Sequence, residues 1–155
     1  MAKLELKSPR IDNRKAHHDY SIESKLECGI ELLGSEVKSL RMGLAQIGEA
    51  YVEIRGRDVW LQNAYIEAYK QSASVYNHAP RRPRRLLAHR REITKLKEET
   101  DGNGMTIVPL AVYFKEGRAK VEIAVVKGKK THDKRATIKK KESDRELRRV
   151  MTKRQ

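Results

Sequence analysis

The chain has 155 residues and a formal net charge of +14, with 35 lysines and arginines against 21 aspartates and glutamates. This length suits one domain with a modest hydrophobic core, and no stretch approaches the roughly 20 apolar residues that a membrane helix needs. The single cysteine excludes an internal disulfide. Because the first 15 residues also lack the apolar core of a signal peptide, we expect a cytoplasmic protein.

The positive charge is concentrated at the C-terminal end of the chain. Residues 127–155 contain 13 basic and four acidic residues, whereas residues 1–126 contain 22 basic and 17 acidic residues. Such a basic segment serves solubility or meets a polyanion, and its density favours nucleic acid or an anionic membrane surface. We therefore divide the chain into a folded domain, residues 1–127, and a basic tail, residues 128–155.

The first half of the chain predicts strands and one short helix. Residues 20–32 alternate between apolar and polar side chains, which predicts a half-buried strand. The sequence SEVKSLRM lies between two glycines, and we predict a short helix that exposes Lys38 and Arg41. Alternation resumes on both sides of a turn at residues 55–58, which predicts a β-hairpin.

The segment after residue 77 contains two prolines, a cluster of four arginines near its start and apolar residues at helical spacing. We predict one helix across this segment, ending at Asp101 and Gly102. A helix dipole disfavours cations at the N-terminus, so we interpret the four arginines there as contacts to an external anion. These residues are Arg81, Arg82, Arg84 and Arg85.

The last part of the folded domain predicts two strands around a turn at Glu116 and Gly117. Pro109 has no amide hydrogen, so we place it at a sheet edge or a bulge. The fold class is therefore mainly β: a small antiparallel barrel of the oligonucleotide-binding type with two or three short helices. After Gly128 the chain has good helix formers but few apolar residues, so we expect a tail that is disordered or helical and orders on a polyanion.

Few side chains are suited to catalysis. Cys28 falls on the apolar parity of its strand, and we interpret it as a core residue rather than a nucleophile. His132 and Asp133 are adjacent, which places them about 100° apart on a helix, so the carboxylate is badly placed to orient the imidazole. We therefore expect no enzyme activity, no cofactor and no metal site.

Several side chains are suited to an RNA backbone. Three groups of side chains are placed to contact phosphates: Lys38 and Arg41, the four arginines between residues 81 and 85, and the sequence Asn13-Arg14-Lys15. Such contacts would position an RNA by shape. Tyr51 and Tyr65 are able to stack on bases, although packing is the more frequent role of an aromatic residue in a strand.

Five sequence blocks carry a resemblance to a known family. The blocks NRKAHHDY, GSEVKSLR, AYVEIRG, PRRPRRLLAHRREI and KGKKTHDKR occur in this order, and their spacing resembles that of the small protein B family, the bacterial partner of transfer-messenger RNA. The match covers residues 12–151. The resemblance implies a barrel that binds the tRNA-like domain of transfer-messenger RNA and delivers it to stalled ribosomes for trans-translation. It also implies, through the RNA, alanyl-tRNA synthetase and the elongation factor that delivers tRNA as partners, and a monomer in the complex.

The resemblance also assigns site residues. RNA-contact positions of the family fall on Asn13, Glu27, Leu87, His89 and Lys120, and the matching helix block adds Lys38 and Arg41. With neighbouring cations, the predicted RNA-binding set also contains Arg14, Lys15, Lys127, Lys129 and Lys130. The chain departs from the family at Leu44, where a lysine is common, and so loses one cation.

In the tail, the resemblance implies contacts with the ribosome. The family block that reaches the vacant decoding site corresponds to His132, Asp133, Lys134 and Arg135. The tail of the family forms a helix along the empty message channel, and Val150 and Met151 match its apolar end.

Two other classes of protein fit the residues. A generic RNA-binding or ribosomal protein with a basic tail would bind with an affinity that follows salt but not RNA identity. A membrane-surface protein would need a clear apolar helix face, and Leu147, Val150 and Met151 form only a weak one.

Overall fold

The computed structural model describes residues 9–73, 75 and 77–128 and the backbone of residues 131–153, with the side chains of 138–152. The strands are β1 (Ile11–Asp12), β2 (Tyr20–Ile30), β3 (Ala45–Gln46), β4 (Tyr51–Arg55), β5 (Asp58–Gln62), β6 (Tyr65–Ile66), β7 (Arg84–Leu87), β8 (Thr106–Lys115) and β9 (Arg118–Gly128). The helices are α1 (Arg14–Asp19), α2 (Gly34–Arg41), α3 (Arg90–Thr100) and α4 (Thr131–Lys153).

Six long strands close into an antiparallel barrel. Their order is β8, β4, β5, β7, β2 and β9, and β9 pairs back with β8 to complete the ring. Strand β1 adds to β8, while β3 and β6 form a separate two-stranded sheet. In the closed ring each strand is paired with a neighbour on both sides, so the ring has no exposed edge strand. The predicted fold class, a small antiparallel barrel with short helices, is confirmed.

The core follows from the alternation of side chains along the strands. Val121, Ile123 and Val125 of β9 point into the barrel and are fully buried, and α3 contributes Leu96 to the same core. A second, smaller cluster lies on the outside of the barrel wall, where Ala16 of α1 packs against alternate residues of β8 and β9. Helix α1 therefore covers one part of the outer face of these strands.

Most of the predicted elements are confirmed. Strand β2, helix α2 and the two hairpins formed by β4 with β5 and by β8 with β9 lie where the sequence placed them. Helix α2 exposes Lys38 and Arg41, as predicted. The register between β8 and β9 shifts between Pro109 and Ala111, so the proline does lie at a bulge.

The single helix predicted after residue 77 is wrong in its first part. Residues Arg84–Leu87 form β7, which pairs with β5 and β2, and α3 begins only at Arg90. Arg84 and Leu86 are buried while Arg85 and Leu87 are exposed. Because an arginine occupies one of the two inward positions, the alternation of this strand does not show as a hydrophobic pattern.

The tail is a helix in this structure. Helix α4 has 23 residues, a length of about 34 Å at 1.5 Å per residue. Every side chain described in it, from Ile138 to Thr152, is exposed. This part of α4 therefore does not pack on the barrel. Within the described part of the chain, no helix is long and apolar enough to cross a membrane.

Candidate nucleic-acid interface

One row of paired residues crosses the part of the outer barrel face that α1 leaves open. Gly29 of β2 pairs with Leu87 of β7 on one side and with Lys120 of β9 on the other, and Lys120 pairs with Tyr113 of β8. Directly paired residues share one face of a sheet. The adjacent residue Cys28 is buried inside the barrel, so the row points outward. We call Leu87, Gly29, Lys120 and Tyr113 the outer row.

Glu27 lies beside the outer row, two residues from Gly29 on the same face of β2. The Tyr113 hydroxyl donates a hydrogen bond to its Oε2 atom, and Lys115 Nζ lies 3.4 Å from its Oε1 atom. The hydrogen bond from Tyr113, aided by Lys115, lowers the pKa of Glu27 from its usual value. Burial and the neighbouring carboxylate raise the pKa of Tyr113 to about 12. At neutral pH this pair is therefore an ionised acceptor held by a protonated donor.

The other end of the outer row is apolar and faces a groove. Leu87 is 48% exposed, and two residues further on the His89 side chain is 87% exposed at the start of α3. A groove of about 520 Å³ lies next to them, between β5, β7 and α3. Its lining combines apolar residues with three cations and one carboxylate: Val59, Leu86, Leu87, Ala88 and Ile93, then Arg57, Arg85 and Arg90, then Asp58. Such a surface offers apolar contact and phosphate neutralisation side by side.

The structure thus brings four predicted RNA-contact residues to one surface. Glu27, Leu87, His89 and Lys120 come from three adjacent strands and the following loop, and lie 93 positions apart at most in the sequence. Sequence reasoning missed two members of the same row, Gly29 and Tyr113. The signal for both was their pairing register, which a single sequence does not reveal.

Lys38 and Arg41 lie outside the outer row, on the exposed side of α2. The Lys38 ammonium lies 5.2 Å from the centre of the Tyr69 ring, and the Arg41 guanidinium lies 4.6 Å from that of Phe114. These cation–π contacts hold two long side chains against aromatic faces and leave their donors available to a ligand.

The Asn13 side chain has a structural role in the fold. It is 3% exposed; its Oδ1 atom accepts from the Ala16 amide at 3.1 Å, and its Nδ2 atom donates to the carbonyls of Ile47 and Pro109 at 3.2 and 2.8 Å. Asn13 is therefore the N-cap of α1 and has no amide hydrogen left for direct contact with RNA.

The cations that Asn13 positions are exposed. Arg14 and Lys15 begin α1, and both side chains face solvent. Lys15 Nζ lies 2.7 Å from Glu49 Oε1, and this hydrogen bond raises the pKa of Lys15. Arg14 and Lys15 therefore remain available to an RNA backbone at neutral pH, next to the part of the sheet that α1 covers.

The arginines interpreted as contacts to an external anion also require a correction. Arg84 is completely buried and donates to Glu36, to which Arg82 also donates. Burial by itself raises the pKa of Glu36, but hydrogen bonds from Arg82, the Leu33 amide and Arg84 outweigh it and lower the pKa. The anion that these two arginines meet is a carboxylate of the same chain.

The other two arginines of this segment also have partners within the chain. Arg81 Nη1 donates to Asn63 Oδ1 at 3.1 Å, and Arg85 Nη2 donates to Asp58 Oδ1 at 2.9 Å. Both arginines are partly or fully exposed, so their partners compete with any external anion without excluding it. The interpretation as free phosphate contacts therefore fails for Arg84 and is weakened for the rest.

Cys28 confirms the core interpretation and carries a prediction. It is 1% exposed, and burial raises its pKa to about 12, so the thiolate that reacts with disulfide reagents is absent at pH 8. We expect the folded protein to react with Ellman's reagent at least about a hundredfold more slowly than the protein in guanidinium chloride. Equal rates in the two conditions would contradict the buried position of this thiol.

The tail residues are placed in part. Lys127 is exposed at the end of β9, whereas Lys129 and Lys130 lie outside the described residues. His132, Asp133, Lys134 and Arg135 belong to the first turns of α4, and their side chains lie outside the described residues. Val150 and Met151 are 51% and 70% exposed and share a face of α4 with Leu147.

The fold and the site define a class of protein before any comparison is made. A small closed barrel with cations and an exposed apolar residue on its open face, followed by a basic helix, is typical of proteins that bind nucleic acid. No group of three or more side chains suited to a metal ion occurs among the residues that the structure describes.

The family model of the SmpB protein matches residues 10–153, and the chain therefore belongs to the SmpB family. An SsrA-binding protein from Thermobifida fusca is 49% identical over 142 residues, which cover 92% of this chain and 88% of the relative. The SsrA-binding protein of Streptomyces coelicolor is 47% identical and covers 98% of this chain and 95% of the relative. The predicted membership of the small protein B family is confirmed.

A solved structure supports the same assignment. It is described by the words "tmRNA-SmpB: a journey to the center of the bacterial ribosome" and matches with a TM-score of 0.68 at 40% identity. The match covers 79% of this chain and 86% of that chain.

Proposed function

We propose that this protein binds the tRNA-like domain of transfer-messenger RNA and delivers it to stalled ribosomes for trans-translation. The observation that carries the proposal is the outer face of the barrel, where Glu27, Leu87, His89 and Lys120 lie together. Family membership supports it, as does the likeness to a protein described together with transfer-messenger RNA and the bacterial ribosome. The site of action is then the cytoplasm.

The two parts of the chain have separate roles in this proposal. The barrel, residues 1–127, holds the RNA through Leu87 and Lys120 of the outer row, through Glu27 and His89, and through the cations Arg14, Lys15, Lys38 and Arg41. The tail, residues 128–155, enters the ribosome, with His132–Arg135 at the vacant decoding site and Val150 and Met151 further along the message channel. Alanyl-tRNA synthetase and the elongation factor that delivers tRNA meet the protein through the RNA, on which it acts as a monomer.

The physical basis for choosing stalled ribosomes is the charge and exposure of α4. Described side chains on this helix are exposed on all sides, and they include Lys139, Lys140 and Lys141. Such a helix gains stability when phosphates replace solvent around it. A channel that still holds message excludes the helix sterically, because both would occupy the same volume. An empty channel accepts it.

A titration with a shortened chain tests this division of roles. The full chain and a version ending at Lys127 are each titrated with the tRNA-like domain and with an unrelated RNA hairpin at one fixed salt concentration. Because the outer row lies on the barrel, both versions are expected to prefer the tRNA-like domain. The shortened chain should bind each RNA more weakly and with a smaller dependence on salt, since it has lost tail cations.

Two outcomes would reject the proposal. If the two RNAs bind the full chain alike, the protein is a general RNA binder. If truncation removes the preference for the tRNA-like domain, the tail rather than the barrel is the reader. Removal of residues 138–152 exposes no core, because every side chain described there is already exposed to solvent.

A further inference from the structure

Glu27 presents an electrostatic problem at an RNA-binding surface. An ionised carboxylate repels phosphates and only accepts hydrogen bonds. It therefore contributes to binding where the RNA offers N–H or O–H donors. In RNA the O–H donors are the ribose 2′-hydroxyls, whereas the N–H donors lie on base edges, which are open in single-stranded or loop segments.

The hydrogen bonds of Glu27 within the protein leave a specific part of it free. Oε2 accepts from the Tyr113 hydroxyl and Oε1 faces Lys115 Nζ at 3.4 Å. A carboxylate has about four acceptor sites, two on each oxygen, so one site on each oxygen remains. Two parallel acceptors match two parallel donors, and the Watson–Crick edge of guanine offers such a pair, the N1 hydrogen and the N2 amino group.

A glycine lies next to this carboxylate on the outer face of the barrel. Gly29 has no side chain and lies between Leu87 and Lys120 in the outer row. A Cβ atom built on Gly29 would meet the Cβ, Cδ1 and Cγ atoms of Leu87 at 3.2, 3.4 and 3.7 Å, so the Leu87 side chain leans over the glycine from the β7 side. Residues two apart in a strand are separated by about 7 Å, which is comparable to the width of a purine. A glycine inside a strand often marks the close approach of a ligand.

Tyr113 fixes the direction of the carboxylate. Its hydroxyl is bound to Glu27, and the Arg10 guanidinium lies 5.0 Å from the centre of its ring. Within the protein, Tyr113 thus joins β8 to β2 across the intervening strand β9. Without this partner the Glu27 side chain would rotate freely, and fixing it on binding would cost conformational entropy.

We propose that Tyr113 is a positioning residue that holds Glu27 so that it accepts two hydrogen bonds from an unpaired guanine lying over Gly29. The inference deepens the proposed function and rests on it. Leu87 packs against one side of the base, and Lys120 neutralises a phosphate on the other. Tyr113 itself does not touch the RNA.

The test is a double-mutant cycle with the full chain and the tRNA-like domain as probe. Tyr113→Phe and Glu27→Gln are each expected to weaken binding about tenfold, the usual effect of losing a hydrogen bond to a charged group. Because both changes act on one interaction, the double variant is expected to bind no more weakly than Glu27→Gln. Tyr51→Phe, which removes a hydroxyl from a half-exposed tyrosine of β4, is the matched control and should bind like the original chain.

Inosine substitution distinguishes recognition of guanine from a structural role of the tyrosine. Inosine lacks the N2 amino group, and each unpaired guanosine of the probe is replaced in turn. One replacement should weaken binding to the original chain about tenfold and leave binding to Glu27→Gln unchanged. If Tyr113 has only a structural role, Tyr113→Phe should lower the affinity for all probes by the same factor.

The outcomes separate this inference from the proposed function. If Tyr113→Phe binds like the original chain, if the two single effects multiply, or if no inosine probe is discriminated, the inference is wrong while preference for the tRNA-like domain still stands. If the original chain shows no preference for the tRNA-like domain over an unrelated hairpin, the proposed function itself fails.

Discussion

Replacing Glu36 with glutamine is expected to lower the midpoint of thermal unfolding by about 10 °C at neutral pH. Removing one member of a buried ion pair costs about 3 to 5 kcal/mol, because the partner is left as an uncompensated buried charge. A domain of this size loses about 2 to 4 °C for each kcal/mol. Circular dichroism during heating measures the change.

The size of this effect follows from the position of the carboxylate. Glu36 and Arg84 are both completely buried, and Arg84 also donates to the carbonyls of Ala64 and Pro80 at 2.7 and 2.9 Å. Glu36 accepts from the Leu33 amide at 2.8 Å, which closes the first turn of α2. The carboxylate therefore joins α2, β7 and the loop before β7. Glutamine keeps the volume but has only one acceptor oxygen for these donors.

Glu53→Gln provides the matched control. Glu53 also binds an arginine, Arg55, at 3.2 Å, but the Arg55 side chain is largely exposed and the Glu53 side chain is 41% exposed. Exposed ion pairs contribute little to stability, so the midpoint is expected to move by less than about 2 °C. Equal shifts for Glu36→Gln and Glu53→Gln would contradict the structural role of the buried group.

The pH dependence of the Glu36→Gln effect has a defined sign. The pKa of Glu36 is lower in the folded chain than the ordinary glutamate value of 4.5. The stabilisation by its charge is therefore fully present above pH 4.5 and is lost as the pH falls through the folded pKa. The difference in stability between the original chain and the variant should be largest near neutral pH and should narrow on acidification.

The buried pair of Glu36 and Arg84 also explains why sequence patterns predicted some strands and missed β7. Regular alternation predicted β2 and β9 because their inward positions are apolar, and a run of residues that favour strands predicted β8. The same reasoning failed at β7, where Arg84 takes an inward position that only a partner 48 residues earlier makes tolerable. Pairings at such separations are not encoded in local periodicity.

The residues that the resemblance assigned to the functional surface also differ in their structural environments. Resemblance assigned Glu27, Leu87 and Lys120, and the exposure of all three agrees with contact to a partner. The same resemblance gave Asn13 an RNA contact, whereas its amide hydrogens are donated to the carbonyls of Ile47 and Pro109 and its Oδ1 atom caps α1. A family position therefore identifies a residue that matters for the site, but it does not tell whether that residue contacts the RNA or positions its neighbours.

Changing Asp133, Lys134 and Arg135 together to alanine is expected to abolish peptide tagging on stalled ribosomes while leaving RNA binding by the barrel nearly unchanged. These residues begin α4, beyond the outer row, and in our proposal they occupy the decoding site where no codon is present. Alanine preserves helix formation, so the loss would come from missing polar contacts. Tagging is measured in a reconstituted translation reaction with a message that lacks a stop codon, and RNA affinity is measured by titration.

The control for this variant removes the same net charge from the same helix. Changing Lys140, Lys141 and Glu142 to alanine also deletes two basic residues and one acidic residue, all exposed on α4. Because bulk attraction to phosphate depends on charge, the two variants should lose the same part of their non-specific affinity. Only the change at residues 133–135 should abolish tagging, since only it removes groups at the decoding site. Normal tagging by that variant, or equal losses in both, would reject a specific role for these residues and leave the tail as a general cationic anchor.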